Sequence, residues 1–244
     1  MALLEVKELS VSYGGQRALD RVSLEVDAGR VTGLIGPNGA GKTTLFNAIT
    51  GLASPVSGRV LLNGIDVTES APHDRAQRGL ARTFQRLELF GSLTARENLQ
   101  VAAEIPRRWG SSAESPDARV EAVIELVGMQ SFADTRADVL TTGQARLLEL
   151  ARALVTRPKV LLLDEPASGL DSSETEGFAR LLGTLTGNGT ALLLVEHDMP
   201  LVMRACQRIF VLDHGRMIAD GPPEQIQRDP AVIEAYLGPM GVEA

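Results

Sequence analysis

An α/β fold with parallel strands at its centre is what the sequence predicts, and three observations predict it. First, Gly36-Pro37-Asn38-Gly39-Ala40-Gly41-Lys42-Thr43 matches G-x-x-x-x-G-K-[ST] between an apolar strand-like run, Val31–Ile35, and a helix-like run from Thr44. That is the context a phosphate-binding loop requires. Second, residues 160–163 and 190–195 are short apolar runs that end in charge, at Asp164-Glu165 and at Glu196-His197-Asp198. Runs apolar on both faces suit the middle of a parallel sheet. Third, residues 85–158 read mainly as helices, so a helical insert separates two strand-bearing parts.

The loop's residue types follow from its chemistry. Backbone N–H groups can wrap a triphosphate only where the chain turns without Cβ atoms in the way, so Gly36, Gly39 and Gly41 fall where close approach is needed. A helix starting near Lys42 points its unpaired amides and positive dipole end at the phosphates. Each charge-assisted bond contributes about 1.5 to 3 kcal/mol, so several together account for tight binding of a nucleotide. Lys42 is placed to reach the β- and γ-phosphates and the Thr43 hydroxyl to ligate Mg²⁺. The candidate nucleotide-binding stretch is Gly36, Pro37, Asn38, Gly39, Ala40, Gly41, Lys42, Thr43 and Thr44.

Composition narrows the class. The 244 residues, 44% hydrophobic, suffice for one large domain with ample core. A formal charge of -7 disfavours a global nucleic-acid or anionic-membrane surface. The single cysteine, Cys206, lies in an apolar stretch and reads as a core residue in a reducing, cytoplasmic setting. Residues 1–9 carry Glu5 and Lys7 and lack a basic segment followed by a long apolar one, so no signal peptide is expected. No apolar run approaches the length that spans a bilayer, so any membrane role is expected to come through a partner.

Along the chain, residues 3–12 alternate as a half-buried strand, Gly14-Gly15 turns, and residues 22–26 form a second strand. By local pattern alone Tyr13 reads as a buried strand tyrosine. The helix after the loop runs to about Ile49, with Gly51 as its stop. Residues 59–62, Asn63-Gly64 and residues 65–67 read as a hairpin with a type I′ turn. A short helix from Pro72 and a strand over 80–84 lead to Gln85. Helices are expected over 94–103, 118–127 and 144–155, with a mobile loop over 107–116. The return carries a helix over 172–185, a hairpin around His214-Gly215 and a helical tail from Pro222.

Two acid-ended apolar strands beside a phosphate loop turn a nucleotide site into a hydrolytic one, because carboxylates at strand C-termini face the crevice where ligands bind. Asp164 is the natural Mg²⁺ partner, through water. Glu165 can polarise the attacking water as general base, worth roughly 10² to 10⁴ in rate. His197 ends the other strand, where a ring N–H can bond the γ-phosphate or that water; His73 and His214, near turns, read as structural.

With these motifs in this order and spacing, the chain resembles the nucleotide-binding subunit of an ATP-binding cassette transporter over essentially its full length. The resemblance implies a P-loop NTPase (RecA-like) core with an N-terminal antiparallel β subdomain over 1–84 and 159–244, and an inserted α-helical subdomain over 85–158. It implies that Tyr13 stacks on adenine, that Gln85 contacts Mg²⁺ and the lytic water and links to the membrane subunit, and that His197 is the switch histidine. Leu140-Thr141-Thr142-Gly143-Gln144 stands where the family signature is normally Leu-Ser-Gly-Gly-Gln or Leu-Ser-Tyr-Gly-Gln. Thr141, Gly143 and Gln144 would contact the γ-phosphate held by an opposite subunit, Thr141 replacing the usual Ser. Asp171, in Ser168-Gly169-Leu170-Asp171, would sense the other site. Hydrolysis then implies a dimer, with itself or with a related ATPase, around two ATP molecules.

The segments Arg82-Thr83-Phe84-Gln85, Glu196-His197-Asp198-Met199 and Ala235-Tyr236-Leu237-Gly238 resemble the larger ATPase subunit of bacterial branched-chain amino acid importers. This implies membrane permease partners, an extracytoplasmic substrate-binding protein, no nucleic acid, and a peripheral place on the cytoplasmic face of the inner membrane. Leu87, Leu89, Phe90 and Leu93 are candidates to line the groove for the permease's coupling helix. A lipid or lipopolysaccharide exporter ATPase and a soluble cassette protein are the alternative readings.

Overall fold

The computed structural model describes residues 1–85, 87–108 and 115–237. Five parallel strands and one antiparallel edge strand form a sheet in the order β10-β9-β3-β8-β7-β6. Its central members are β3 (Val31–Ile35), β7 (Val160–Asp164) and β8 (Ala191–Val195), every residue of which is buried. Successive strand side chains point to opposite faces, and the two faces feed two cores. Leu161, Leu163, Leu192 and Leu194 pack with the helices, while Leu162, Leu193 and Phe210 pack against the N-terminal sheet and Phe46.

The N-terminal sheet is antiparallel, in the order β2-β1-β4-β5. Strand β1 (Ala2–Tyr13) pairs with β2 (Gln16–Asp27) around the Gly14-Gly15 turn, with Tyr13 opposite Gln16. Strand β2 is longer than its apolar core suggested, because Arg17, Asp20 and Arg21 interrupt the alternation that marks a strand. Strands β4 (Ser57–Leu62) and β5 (Ile65–Asp66) flank Asn63 and Gly64 at φ 50° and 76°, as a type I′ turn requires.

Helix α1 (Lys42–Thr50) follows the loop and stops at Gly51; α2 (Pro72–Gln77) precedes β6 (Leu80–Arg82). Strand β6 ends two residues short of the expectation because the Phe84 N–H leaves the ladder for the Glu149 carboxylate at 3.1 Å. Helices α3 (Ala95–Arg108), α4 (Pro116–Val127) and α5 (Thr142–Leu154) stand between β6 and β7. Of the loop expected over 107–116, residues 109–114 lie outside the described residues, as does Gly238; Ser115 caps α4.

Helix α6 (Ser172–Gly187) connects β7 to β8. Helix α7 (Met199–Ala205) has no counterpart in the sequence reading: Asp198, read as charge at a strand end, is its N-cap and accepts the Leu201 N–H at 2.9 Å. Strands β9 (Arg208–Asp213) and β10 (Arg216–Gly221) form the hairpin around His214-Gly215, and α8 (Pro223–Ile226) and α9 (Pro230–Leu237) follow.

Candidate functional site

The phosphate loop leaves β3 through Gly36, whose φ of 151° and contact distance both exclude a side chain: a Cβ there would stand 1.9 Å from the Leu212 carbonyl oxygen. At its other end Gly41, φ 110°, caps α1, and a Cβ would meet the Leu19 side chain at 2.8 Å. No side chain caps α1 and no acid sits in its first turn, so its N-terminal amides and dipole stay open to an anion. The cradle therefore fits a phosphate chain.

Lys42 folds back over this loop, donating to Gly36 O at 2.6 Å and Pro37 O at 3.0 Å. Burial lowers its pKa, and the negative charges of Glu165 and Asp164 oppose that shift. Thr43 is exposed and Thr44 half-buried at the start of α1. Tyr13 is 54% exposed, which corrects the local reading of a buried strand tyrosine: it is the last residue of β1, beyond the sheet's packed face. With Gly39, Gly41, Thr44 and His214 it lines a cleft of about 340 Å³. The His214-Gly215 turn supports the loop from below, Gly215 N–H donating to Ala40 O at 2.9 Å. His73 and His214 are surface residues, each beside a carboxylate of the preceding or following residue.

At the end of β7, Asp164 is buried and its Oδ2 accepts from the Arg82 guanidinium at 2.8 Å. Arg82 also donates to Asn47 Oδ1 at 2.6 Å and lies over the Phe46 and Phe84 rings. Glu165 adopts φ 49°, a conformation rare for residues other than glycine. Gln85 Nε2 donates to its Oε2 at 2.8 Å, and His197 Nδ1 lies 3.4 Å from its Oε1. The three side chains named from the sequence as catalytic candidates thus meet at one carboxylate, from three separate segments.

Thr141, Gly143, Gln144 and Asp171 are placed elsewhere. Thr141 is the N-cap of α5, in a reciprocal box in which its hydroxyl accepts the Gln144 N–H at 3.3 Å and Gln144 Oε1 accepts the Thr141 N–H at 3.0 Å. Asp171 caps α6 in the same way with Glu174. Gly143, Gln144, Leu170 and Glu174 line a cleft of their own, separate from the one that Tyr13 lines.

Four charged residues at the site carried no role in the sequence reading. Besides Arg82, Arg146 and Glu149 of α5 form a buried pair at 3.1 Å and grip the Gln85 segment: Arg146 donates to Gln85 O at 3.0 Å while Glu149 accepts the Phe84 N–H. Burial raises the Glu149 pKa, against the Phe84 N–H and Arg146. Glu196, at the end of β8, is 3% exposed and accepts backbone N–H groups from Ala167 and His197. Burial pushes its carboxyl above the ordinary range, and those bonds hold it down. The available signal was a charge inside an apolar pattern, where an unpaired ion would be costly.

The surface groove between α1, α2 and the helical insert, about 470 Å³, is lined by Leu52, Ala76, Phe84, Glu88, Ile105 and Arg152 among others. None of Leu87, Leu89, Phe90 and Leu93 lines it. Leu89 packs on the core, while Phe90 is exposed and lies under the Arg152 guanidinium.

Residues 19–168 match the family model described as ABC transporter, and residues 216–238 match that of the branched-chain amino acid ATP-binding cassette transporter. The chain is 41% identical to the high-affinity branched-chain amino acid transport ATP-binding protein BraF of Pseudomonas aeruginosa, over 97% of this chain and 98% of that protein. It is 40% identical to LivG of Escherichia coli K12, a protein of the same description, with the same coverage. Its fold is similar to the ADP conformation of MJ1267, an ATP-binding cassette of an ABC transporter (TM-score 0.88, 31% identity, 98% of this chain and 100% of that one). It is also similar to a dimeric structure of the cassette MJ0796 (TM-score 0.79, 28% identity, 90% and 98%).

Proposed function

Because this chain belongs to the ATP-binding cassette transporter family, whose nucleotide-binding subunits hydrolyse ATP, we propose that it is the motor subunit that drives import of branched-chain or related hydrophobic amino acids. The observation that carries the ATPase part is the convergence of Gln85 and His197 on Glu165. The match of residues 216–238 and the similarity to BraF and LivG support the cargo class.

The chain's own groups supply the steps. Gly36, Gly39 and Gly41 let the backbone wrap the phosphates of ATP, Asn38 and Ala40 contribute N–H groups, and Pro37 shapes the turn. Lys42 exchanges its two carbonyl partners for β- and γ-phosphate oxygens, which relieves the cost of its partial burial. Tyr13 offers its exposed ring to adenine. Glu165 accepts the proton of the attacking water, oriented by the Gln85 amide and the His197 ring. Mg²⁺ fits the donor set of the Thr43 hydroxyl, the Gln85 amide and Asp164, whose Oδ1 is left over by Arg82; when bound, it neutralises phosphate charge.

Thr141, Gly143, Gln144 and Asp171, which line no part of the Tyr13 cleft, belong to a site completed by a second cassette, as a homodimer or with a related ATPase. The dimeric MJ0796 structure supports that arrangement. The groove of Leu52, Phe84 and Ile105, each more than two-fifths exposed, fits a permease helix. Among the described residues no helix is long and apolar enough to cross a membrane. The similarity to BraF and LivG supports a peripheral place on the cytoplasmic face of the inner membrane, held there by permease subunits that a substrate-binding protein serves from the other side.

Purifying Glu165→Gln from its native membranes with Mg-ATP tests this. Two polytopic subunits, a second cassette and an amino-acid-binding protein are expected to accompany it. Recovery with an export assembly, or with soluble factors alone, would overturn the importer reading.

A further inference from the structure

Glu196 is an acidic side chain that β8 buries between the two turns carrying Glu165 and His197. Its Oε1 accepts the Ala167 N–H at 2.8 Å, just past Glu165-Pro166 in the turn after β7. Its Oε2 accepts the His197 N–H at 3.1 Å and is within 3.5 Å of the Asp198 nitrogen, in the turn after β8. One carboxylate therefore spans two turns that the parallel ladder leaves behind: the last bond of that ladder is Glu165 N–H to Val195 O, at 2.9 Å.

Three facts give this arrangement a purpose beyond packing. Glu165 holds φ 49°, a backbone conformation that a non-glycine residue keeps only where its surroundings impose it. His197 is itself 62% exposed at the side chain, so packing does not fix its ring. A carboxylate is also the one side chain that accepts through both ends; the glutamine amide would present N–H to N–H at one of them.

We propose that Glu196 is a positioning residue for hydrolysis, clamping the turn after β7 to the turn after β8 and so setting the separation of the Glu165 carboxylate from the His197 ring. The proposal rests on the reading of Glu165 as general base with His197 beside it. Buried and bonded to backbone N–H groups, Glu196 acts through the backbone of the two turns. Misplacing a reacting group by about 1 Å costs on the order of 100-fold, which sets the scale of the effect.

Single-turnover ATP hydrolysis and ATP affinity, measured for the full chain and for Glu165→Gln, Glu196→Gln, His197→Ala and Glu196→Gln with His197→Ala, test it. Glu196→Gln should hydrolyse roughly 10- to 100-fold more slowly than the parent with ATP affinity unchanged, because the phosphate loop is untouched. The double variant should lose less than the product of the two single losses, since both changes act on the same geometry. A parent-like rate in Glu196→Gln while Glu165→Gln is stalled, losses that multiply strictly, or ATP affinity falling in step with the rate would each overturn the clamp. A Glu165→Gln variant that turns over like the parent would instead remove the base reading, and the clamp with it.

Should Glu196→Gln fail to fold, Glu196→Asp, which keeps the charge but not the reach, answers the same question. The unaltered chain offers a second measurement. Its Ala167 and His197 amides should exchange slowly although both lie in turns, and fast exchange at both would exclude the clamp.

Discussion

Arg82 brings a cation against Asp164, with both side chains under a tenth exposed, so the carboxylate proposed to face Mg²⁺ is already part of an ion pair. Removing one partner of a buried pair leaves the other uncompensated, and Arg82→Ala is expected to destabilise the chain by about 3 to 5 kcal/mol in denaturant titrations. A change below about 1 kcal/mol, the scale of an exposed pair, would show that the bridge is not buried in solution. Cys206 makes the opposite case, a reactive group silenced by its surroundings. Burial pushes its thiol up to about 12, so thiol reagents at mildly alkaline pH should leave the folded chain unlabelled and label the denatured chain once. Prompt labelling of the folded chain would contradict its burial, with Sγ packed against Gly33 of β3. At this scale the sequence disclosed residues whose chemistry is carried by a motif, such as Lys42, Asp164 and Glu165. It concealed Arg82, Arg146, Glu149 and Glu196, whose purpose depends on partners more than 25 positions away or on a turn that no local pattern reveals.

Helix α5 joins two parts of the site. Its N-terminus carries Thr141, and its Arg146-Glu149 pair holds the backbone of Phe84 and Gln85, the residue that bonds Glu165. Burial holds the Glu149 pKa above the ordinary value. A carboxyl raised on folding contributes stability that is fully present below its unfolded pKa and is lost as the pH rises through the folded value. The stability of the parent relative to Glu149→Gln should therefore be greater near pH 4 than near pH 8 in paired denaturation curves; a difference that grows with pH would contradict it. Elements with an unbroken pattern were legible: the apolar strands β3, β7 and β8, and the Asn63-Gly64 hairpin. The extent of β2 was hidden by outward-facing charges. The end of β6 was hidden because it is set by Glu149 from another element, and α7 because it is only seven residues long.

Across the whole molecule, the parallel sheet delivers Asp164 and Glu165 from β7 and His197 from β8 to the same edge as the loop after β3, since parallel strands present their C-termini on one side. The helical insert delivers Gln85 to that edge, and it presents Gly143 and Gln144 on another cleft. The overall architecture was legible because the loop, the strand ends and the insert each have a local signature; the packing of Leu89 on the core and of Phe90 against Arg152 was not, because apolar residues near Gln85 are divided between core and surface by tertiary packing alone. Glu165 as the group that converts bound ATP into ADP and phosphate is the centre of this account. Comparing the parent with Glu165→Gln in one experiment, ATP affinity beside single-turnover hydrolysis with the chain in excess, tests it most directly. Equal affinity with a loss of at least about 100-fold in rate is the predicted result. Equal rates, or a loss of affinity that accounts for the whole loss of rate, would contradict it.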